Sequence, residues 1–349
     1  MKSTVHVFHD AFLQNGGAEN VAGLWAQSFG AELTVLAKSK RATNQAGHKI
    51  NVIFRWIRTQ KSLELLYPFL PFAYLFIRAK KDEIRLVSTT GIAHQIPGRW
   101  GKRVLYVHSP ARWIWDKESF DMGRSGVQIL AANLLRGLFK IYDRKCIREG
   151  DVILVNSNAT RQKVFDAYSR DAQVLFPPVA QRSKKPKEIQ LPREFNKFFL
   201  HVGRVRGYKG FEFLFDAFNS SGHKLVLVGE ATEKFKTASI LGLGFVSDPE
   251  LQWLYEKAQG LIAVSREDFG LTPVEAASYG CPTIAFRHLG YLDSVKEGVT
   301  GEYVIPNDLE DFTRIINSHN KARYSKIEML RFANHFSPDT HIENLRRFI

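Results

Sequence analysis

The chain has 349 residues, 44% of them apolar and 24% charged, which is the balance of an ordinary globular protein with room for two domains of about 150 to 200 residues. Its formal net charge of +14 belongs to one half: residues 1–190 hold 30 Lys and Arg against 15 Asp and Glu, and residues 191–349 hold 19 against 20. This composition excludes a disordered chain, and the two cysteines, Cys146 and Cys281, exclude a disulfide framework or a structural zinc site.

The opening MKSTVHVFHD reads as a strand and lacks the long apolar core of a signal peptide. With two isolated thiols suited to a reducing compartment, it sets the expected location as the cytosol or the cytosolic face of a membrane. Val5 to His9 is the first strand. Gly16-Gly17 and a helix from about Ala18 to Phe29 follow, with Val21, Ala22, Trp25 and Phe29 on one face. Strand, glycine loop and helix open a doubly wound α/β domain. The double glycine is either a tight turn or a place where a ligand diphosphate or sugar comes close to the backbone. No G-x-G-x-x-G is present, so a dinucleotide site is not expected.

Strands continue at Leu33–Ala37, Asn51–Phe54 and Arg85–Ser88. Between the last two lies Arg55–Lys81, an aromatic and aliphatic centre edged by basic residues and broken by Pro68 and Pro71, too short to span a bilayer. It reads either as an interfacial membrane helix or as helices packed on the first sheet. The strand Val104–Val107 leads into His108-Ser109-Pro110-Ala111-Arg112-Trp113-Ile114-Trp115-Asp116, which puts His108 at the carboxyl edge of the sheet, where open α/β folds bind ligands. A helix from about Val127 to Arg148 carries Leu130, Leu134, Leu138 and Ile141 on one face, and the strand Val152–Val155 ends at the capping residues Ser157 and Asn158. The predicted domains are 1–180, a linker at 181–194, 195–336, and a last helix over 337–349 capped by Ser337.

In the second half the strand Phe198–Val202 runs into Gly203-Arg204-Val205-Arg206-Gly207-Tyr208-Lys209-Gly210. Arg204 and Lys209 are either a solvated basic loop or a clamp on a diphosphate. A strand at Lys224–Gly229, a helix after it, and Gly244-Phe245-Val246-Ser247-Asp248 opening a helix over Pro249–Gln259 come next. Then a strand at Leu261–Val264 precedes Ser265-Arg266-Glu267-Asp268-Phe269-Gly270-Leu271-Thr272-Pro273-Val274-Glu275, with Pro273 in the first turn of a helix. Gly270 permits a tight turn, the free N–H groups of Leu271 and Thr272 make an anion site, and Glu267 and Glu275 place a carboxylate on each side of it, a pattern suited to phosphate flanked by polyols. The competing reading is a capping box in which Glu275 serves only the Thr272 N–H.

The string from Glu267 through Ala276, followed by Gly280-Cys281-Pro282-Thr283, closely resembles the signature of the family 4 retaining glycosyltransferases. His108 to Asp116 resembles the string of a subgroup that includes bacterial polysaccharide and O-antigen mannosyltransferases. The resemblance implies a GT-B architecture, two Rossmann-like doubly wound domains facing across a cleft, with the C-terminal helix crossing back to domain one. It implies that Glu275 holds the ribose, that Arg204, Lys209, Gly270, Leu271 and Thr272 hold the diphosphate, and that the backbone from Gly244 through Phe245 and Val246 holds the base. Glu267, His108 and the Gly16-Gly17 loop would meet the donor sugar, with Arg112 to Asp116 on the acceptor side, and no metal or cofactor would be needed. The loop Arg287-His288-Leu289-Gly290-Tyr291-Leu292-Asp293 departs from the family pattern, which puts its contacts in doubt.

The expected reaction is transfer of a hexose, mannose from GDP-mannose, with retained anomeric configuration. The basic first half suits a polyprenyl diphosphate-linked acceptor and an anionic membrane surface, with the protein peripheral on the inner face. No nucleic-acid recognition motif and no protein partner is expected. An epimerase or phosphorylase of the same fold, or a non-catalytic basic binder, are the alternative classes.

Overall fold

The computed structural model describes residues 4–13, 16–39, 50–59, 62, 83–96, 101–116, 126–179, 185–203 and 211–349. They belong to two compact units: unit 1 is Met1–Pro178 with His341–Ile349, and unit 2 is Val179–Thr340.

The described strands of unit 1 are β1 (Thr4–Phe12), β2 (Glu32–Lys38), β3 (Ile50–Val52), β4 (Glu83–Thr89), β5 (Lys102–Val107), β6 (Val152–Val155) and β7 (Gln173–Val174). They form one sheet in the order β3-β2-β1-β4-β5-β6-β7, every pairing parallel. A parallel sheet needs both faces covered, so its strands must be apolar on both. Successive residues of β1 and β4 accordingly enter opposite cores: Phe8 and Val87 pack with Leu36, Leu105 and Val155, while Val7 and Leu86 pack with Leu33, Val104 and Leu154.

Unit 2 repeats the plan with β8 (Phe199–Val202), β9 (Leu225–Val228), β10 (Ile240–Gly242), β11 (Leu261–Ala263), β12 (Thr283–Phe286) and β13 (Gly301–Val304), in the order β10-β9-β8-β11-β12-β13 and again parallel. In each sheet the chain fills one side and then reverses. The reversals fall between β1 and β4 and between β8 and β11, and these are the switch points where the carboxyl ends of such sheets bind ligands.

Two sequence expectations need correction. The helix that the pattern predicts between Gly229 and Leu243 does not form. Thr232 organises this stretch as a loop: its hydroxyl donates toward the carbonyls of Leu227 at 3.3 Å and Gly229 at 3.0 Å and accepts from the Gly244 N–H at 2.9 Å. Ile240–Gly242 then adds to the sheet edge as β10, and a Cβ at Gly242 would stand 1.7 Å from the Thr232 carbonyl oxygen, so only glycine fits.

In the helix Gly126–Cys146 the face carrying Leu138 and Ile141 is exposed, at 68% and 58%, while Arg136 and Asp143 are buried. Asp143 decides this. Its carboxylate takes the His94 ring at 2.6 Å, the Trp115 indole N–H at 2.7 Å and the Tyr168 hydroxyl at 2.9 Å. Burial alone would raise the Asp143 carboxyl, but the charge and hydrogen bond of His94, with Trp115 and Tyr168, outweigh it and hold the group below the usual carboxylate range. Asp143→Ala strands the buried His94 and Tyr168 and the half-buried Trp115 and is expected to cost about 3–5 kcal/mol in urea unfolding, whereas removal of a solvated surface acid costs almost nothing.

The aromatic and basic stretch expected at 55–81 falls, at residues 60–61 and from residue 63 onward, outside the described residues. Residues 185–194 of the expected linker pack on unit 2: Ile189 and Leu191 join its core, and the Lys187 ammonium donates to Glu250 at 2.7 Å.

The last helix, Pro338–Leu345, is capped by Ser337, whose hydroxyl accepts from the Thr340 N–H at 3.2 Å, and its later turns join unit 1 through Ile342 and Leu345. His341 fastens it. The Trp25 indole donates to His341 Nε2 at 2.9 Å and His341 Nδ1 donates to the Phe176 carbonyl at 2.7 Å, which fits only the neutral ring. Burial lowers its pKa to about 4, against the Phe176 bond that opposes the shift. A folded pKa below the unfolded value of 6.5 means the stabilisation is complete above pH 6.5 and is lost as pH falls toward 4. That window is worth up to about 3 kcal/mol. Urea unfolding at about pH 7 and about pH 4.5 should show this acid loss in the wild type and a smaller one in His341→Phe.

Candidate functional site

At the switch point of unit 2 the chain leaves β8 through Gly203 and leaves β11 through Val264 to Gly270. Arg204 and Lys209, expected to follow β8, lie outside the described residues. Gly270 is the N-cap of the helix Leu271–Ser278 with φ 83°, in the left-handed region open to glycine. A Cβ there would stand 2.6 Å from the buried Tyr291 ring. The first N–H groups of this eight-residue helix have no intrahelical acceptor and point out of its start, as an anion site requires.

Glu267 and Glu275 are both half-buried, on the loop before the helix and on its second turn. The Glu267 carbonyl accepts from the Gly290 N–H at 3.1 Å, and Ser265 Oγ lies 3.2 Å from the Tyr291 hydroxyl. Burial, with the Glu267 charge near it, pushes the Tyr291 phenol up. The segment 287–293, whose sequence departs from the family pattern, is therefore the floor under the Glu267 loop. Thr272 lies inside the helix, two positions past the cap, so the capping box with Glu275 does not form. Glu275 Oε2 instead accepts from the Tyr255 hydroxyl at 3.2 Å.

Beyond β10, Gly244 is held by its N–H bond to Thr232 and by its carbonyl, which accepts from the Gly229 N–H at 2.9 Å. This fixes the backbone of the Gly244–Val246 turn. Val246 packs partly into the core below it, while the Phe245 ring is 80% exposed. Ser247 then caps the next helix, Asp248–Lys257, with the Glu250 carboxylate accepting from the Ser247 N–H at 2.8 Å.

In unit 1, Gly16 is the N-cap of the helix Gly17–Phe29, with φ −103° and ψ 175°, so this glycine is in ordinary extended backbone. His108 follows β5 and is 9% exposed. Its N–H donates to the Thr89 carbonyl at 2.9 Å, its carbonyl accepts from Asn156 Nδ2 at 3.1 Å, and its Nε2 lies 2.9 Å from Ser88 Oγ. Trp115 of the same string is turned inward to Asp143, which gives it a structural duty. Cations stand over its ring, with Lys140 Nζ at 5.2 Å and the Arg144 guanidinium at 5.0 Å from the ring centre.

The sequence reading missed Asp10. It sits at the switch point, 5% exposed, and its carboxylate takes the N–H and hydroxyl of Thr90 at 2.5 Å, the Ile92 N–H at 3.1 Å and the Ala93 N–H. The signal was available in His9-Asp10, two polar residues in the buried second half of β1. Among the described residues no group of three or more His, Cys, Asp or Glu is placed to hold a metal ion, and no helix is long and apolar enough to cross a membrane.

Residues 182–329 match the family model described as glycosyl transferases group 1. The O-antigen chain mannosyltransferase C of Escherichia coli is 27% identical over 42% of this chain and 45% of its own length. The lipopolysaccharide 1,6-galactosyltransferase of Salmonella typhimurium is 28% identical over 50% and 53%. The chain spans about half the length of the curated relatives it matches. The crystal structure of Anabaena Alr3699/HepE in complex with UDP and glucose superposes with a TM-score of 0.70 at 18% identity, covering 99% of this chain and 98% of that one. The likeness spans both units, and the half that carries Gly270 and both glutamates is the half the family model matches. The chain has the GT-B fold, and residues 182–329, within its second unit, match the glycosyl transferases group 1 model.

Proposed function

We propose that the protein is a retaining glycosyltransferase that moves a hexose from a nucleoside diphosphate sugar to a glycan acceptor. The observation that carries this reading is the switch point of unit 2, where a left-handed glycine opens a helix start between two half-buried carboxylates. A helix start takes a diphosphate, and a carboxylate accepts paired hydroxyl groups, which ribose and hexose both present.

In this reading Glu275 grips the ribose, Leu271 and Thr272 with Arg204 and Lys209 hold the diphosphate, and the Gly244–Val246 backbone beside the exposed Phe245 ring receives the base. Glu267 is assigned to the sugar in unit 2, and His108 with Gly16-Gly17 is assigned to sugar binding in unit 1. The two cations and the helix start neutralise the departing phosphate without a metal. Asp10, the carboxylate at the switch point of unit 1, has both oxygens occupied by donors, which makes it a poor covalent nucleophile. Attack from the face of the departing phosphate is the preferred route.

GDP-mannose is the proposed donor, supported by a mannosyltransferase among the relatives. The galactosyltransferase relative supports a UDP-hexose as the second reading. The excess of basic residues before residue 190 supports a polyprenyl diphosphate-linked acceptor at an anionic, cytosolic membrane surface.

The test is incubation with GDP-mannose, UDP-glucose or UDP-galactose and a polyprenyl diphosphate-linked sugar in anionic vesicles, with products resolved by NMR. Transfer to the acceptor with retained configuration supports the reading. Sugar interconversion identifies an epimerase, phosphate-dependent release a phosphorylase, and no turnover of any donor a non-catalytic binder.

A further inference from the structure

Behind His108 lies a chain of buried polar groups that the proposed reaction does not by itself require. Ser88 is fully buried at the end of β4 and His9 is 2% exposed on β1. His9 Nδ1 lies 3.0 Å from both the carbonyl oxygen and the hydroxyl of Ser88, and Ser88 Oγ lies 2.9 Å from His108 Nε2. The His9 and His108 rings stand edge to face at 6.5 Å, and Tyr106 is edge to face with His108 at 4.8 Å, so these rings cannot turn freely.

Proton counting orders the chain. A carbonyl oxygen only accepts, so His9 Nδ1 carries a hydrogen and donates it to the Ser88 carbonyl and hydroxyl together. Ser88 Oγ thus has a donor on one side, and among the described residues its own hydrogen has a single acceptor within reach, His108 Nε2. The reverse arrangement, with Nε2–H donating to Ser88, would leave a fully buried hydroxyl hydrogen unsatisfied, which costs about 1–3 kcal/mol. The neutral His108 ring must then carry its proton on Nδ1.

We propose that His9 and Ser88 are positioning residues that hold His108 in its Nδ1–H tautomer, so that this histidine offers a hydrogen-bond donor to an oxygen of its ligand and does not act as a general base through Nε2. The identity of that oxygen, a hydroxyl of the transferred sugar, rests on the glycosyltransferase reading. The tautomer does not.

The experiment is two-bond ¹H–¹⁵N NMR of histidine-labelled protein near pH 7.5, with His108 assigned from the spectrum of His108→Gln. The wild type is expected to show a protonated Nδ1 and an unprotonated, hydrogen-bonded Nε2. Ser88→Ala should move His108 toward the Nε2–H form, and Ser88→Thr, which keeps the hydroxyl, should restore the wild-type pattern. A wild-type proton on Nε2, or an unchanged pattern in Ser88→Ala, overturns the proposal. Hexose transfer should fall about tenfold in kcat with little change in KM in Ser88→Ala and return in Ser88→Thr, as expected of a group acting only in the transition state. Unchanged kcat beside a shifted tautomer would refute the positioning role. Because the spectra need no substrate, absence of transfer in the wild type would count against the glycosyltransferase reading alone.

Discussion

Glu275→Ala lowers the affinity for the donor nucleotide by about 100-fold or more, the largest effect expected of any substitution that leaves the fold intact. Glu275 follows Leu271 by four positions on the helix Leu271–Ser278, so the two share a face and the carboxylate stands one turn from the helix start. In the proposed function that carboxylate accepts both hydroxyl groups of a ribose, and two charge-assisted hydrogen bonds at about 1.5 kcal/mol or more each give that loss. Glu275→Gln keeps the shape and one acceptor and should lose roughly tenfold. Tyr255→Phe removes only the 3.2 Å bond from the Tyr255 hydroxyl to Glu275 and should change affinity less than about threefold. Calorimetric titration with GDP, UDP, ADP and dTDP measures all three. Unchanged affinity in Glu275→Ala would mean that Glu275 does not hold the ribose.

Gly290→Ala destabilises unit 2 by about 3 kcal/mol or more. Its added Cβ would stand 2.3 Å from the Asp268 carbonyl oxygen and 2.3 Å from Phe269 Cα, and backbone atoms cannot swing aside as a side-chain end can. Relief requires moving the Glu267 loop off its floor and breaking the Gly290 N–H bond to the Glu267 carbonyl. Gly270→Ala meets a different obstacle, the Tyr291 ring at 2.6 Å together with φ 83°. A smaller residue at position 291 should therefore partly rescue Gly270→Ala and leave Gly290→Ala unrelieved. For a unit of this size each kcal/mol moves the transition by about 2–4 °C, so thermal unfolding of the two single variants, each with and without Tyr291→Leu, separates the cases. Equal rescue of both would contradict the packing described.

The architecture was legible because parallel strands buried on both faces must be apolar runs, and helix starts need capping side chains. Val152–Val155 and Ser337 declared themselves this way. What the sequence hid depended on partners far along the chain. Glu230 to Leu241 has a helical look, yet the Thr232 hydroxyl finds two carbonyls and the Gly244 N–H, and the chain becomes a loop and an edge strand. Leu138 and Ile141 share an apolar face of their helix, yet Asp143 meets His94, Trp115 and Tyr168 and turns the opposite face inward.

The candidate site divides along the same line. Gly270, Glu267 and Glu275 lie within nine residues on one loop and helix, so their grouping could be read locally. The set at the switch point of unit 1 could not, since Asp10 reaches Thr90 and Ile92, and His9 reaches Ser88, across about 80 intervening residues. Trp115 taught the converse: a residue in a motif-like string, suggestive of an acceptor contact, spends its indole N–H on a buried carboxylate.

The central claim is that a nucleoside diphosphate sits at the switch point of unit 2, against the loop and helix from Ser265 to Glu275. Hydrogen–deuterium exchange of the whole protein, with and without saturating GDP, UDP, ADP or dTDP, tests it most directly. The account predicts that at least one of these nucleotides slows exchange of the amides of 265–275 and 244–246, with the effect lost in Glu275→Ala. Protection confined to unit 1, or no protection by any of the four, would contradict it.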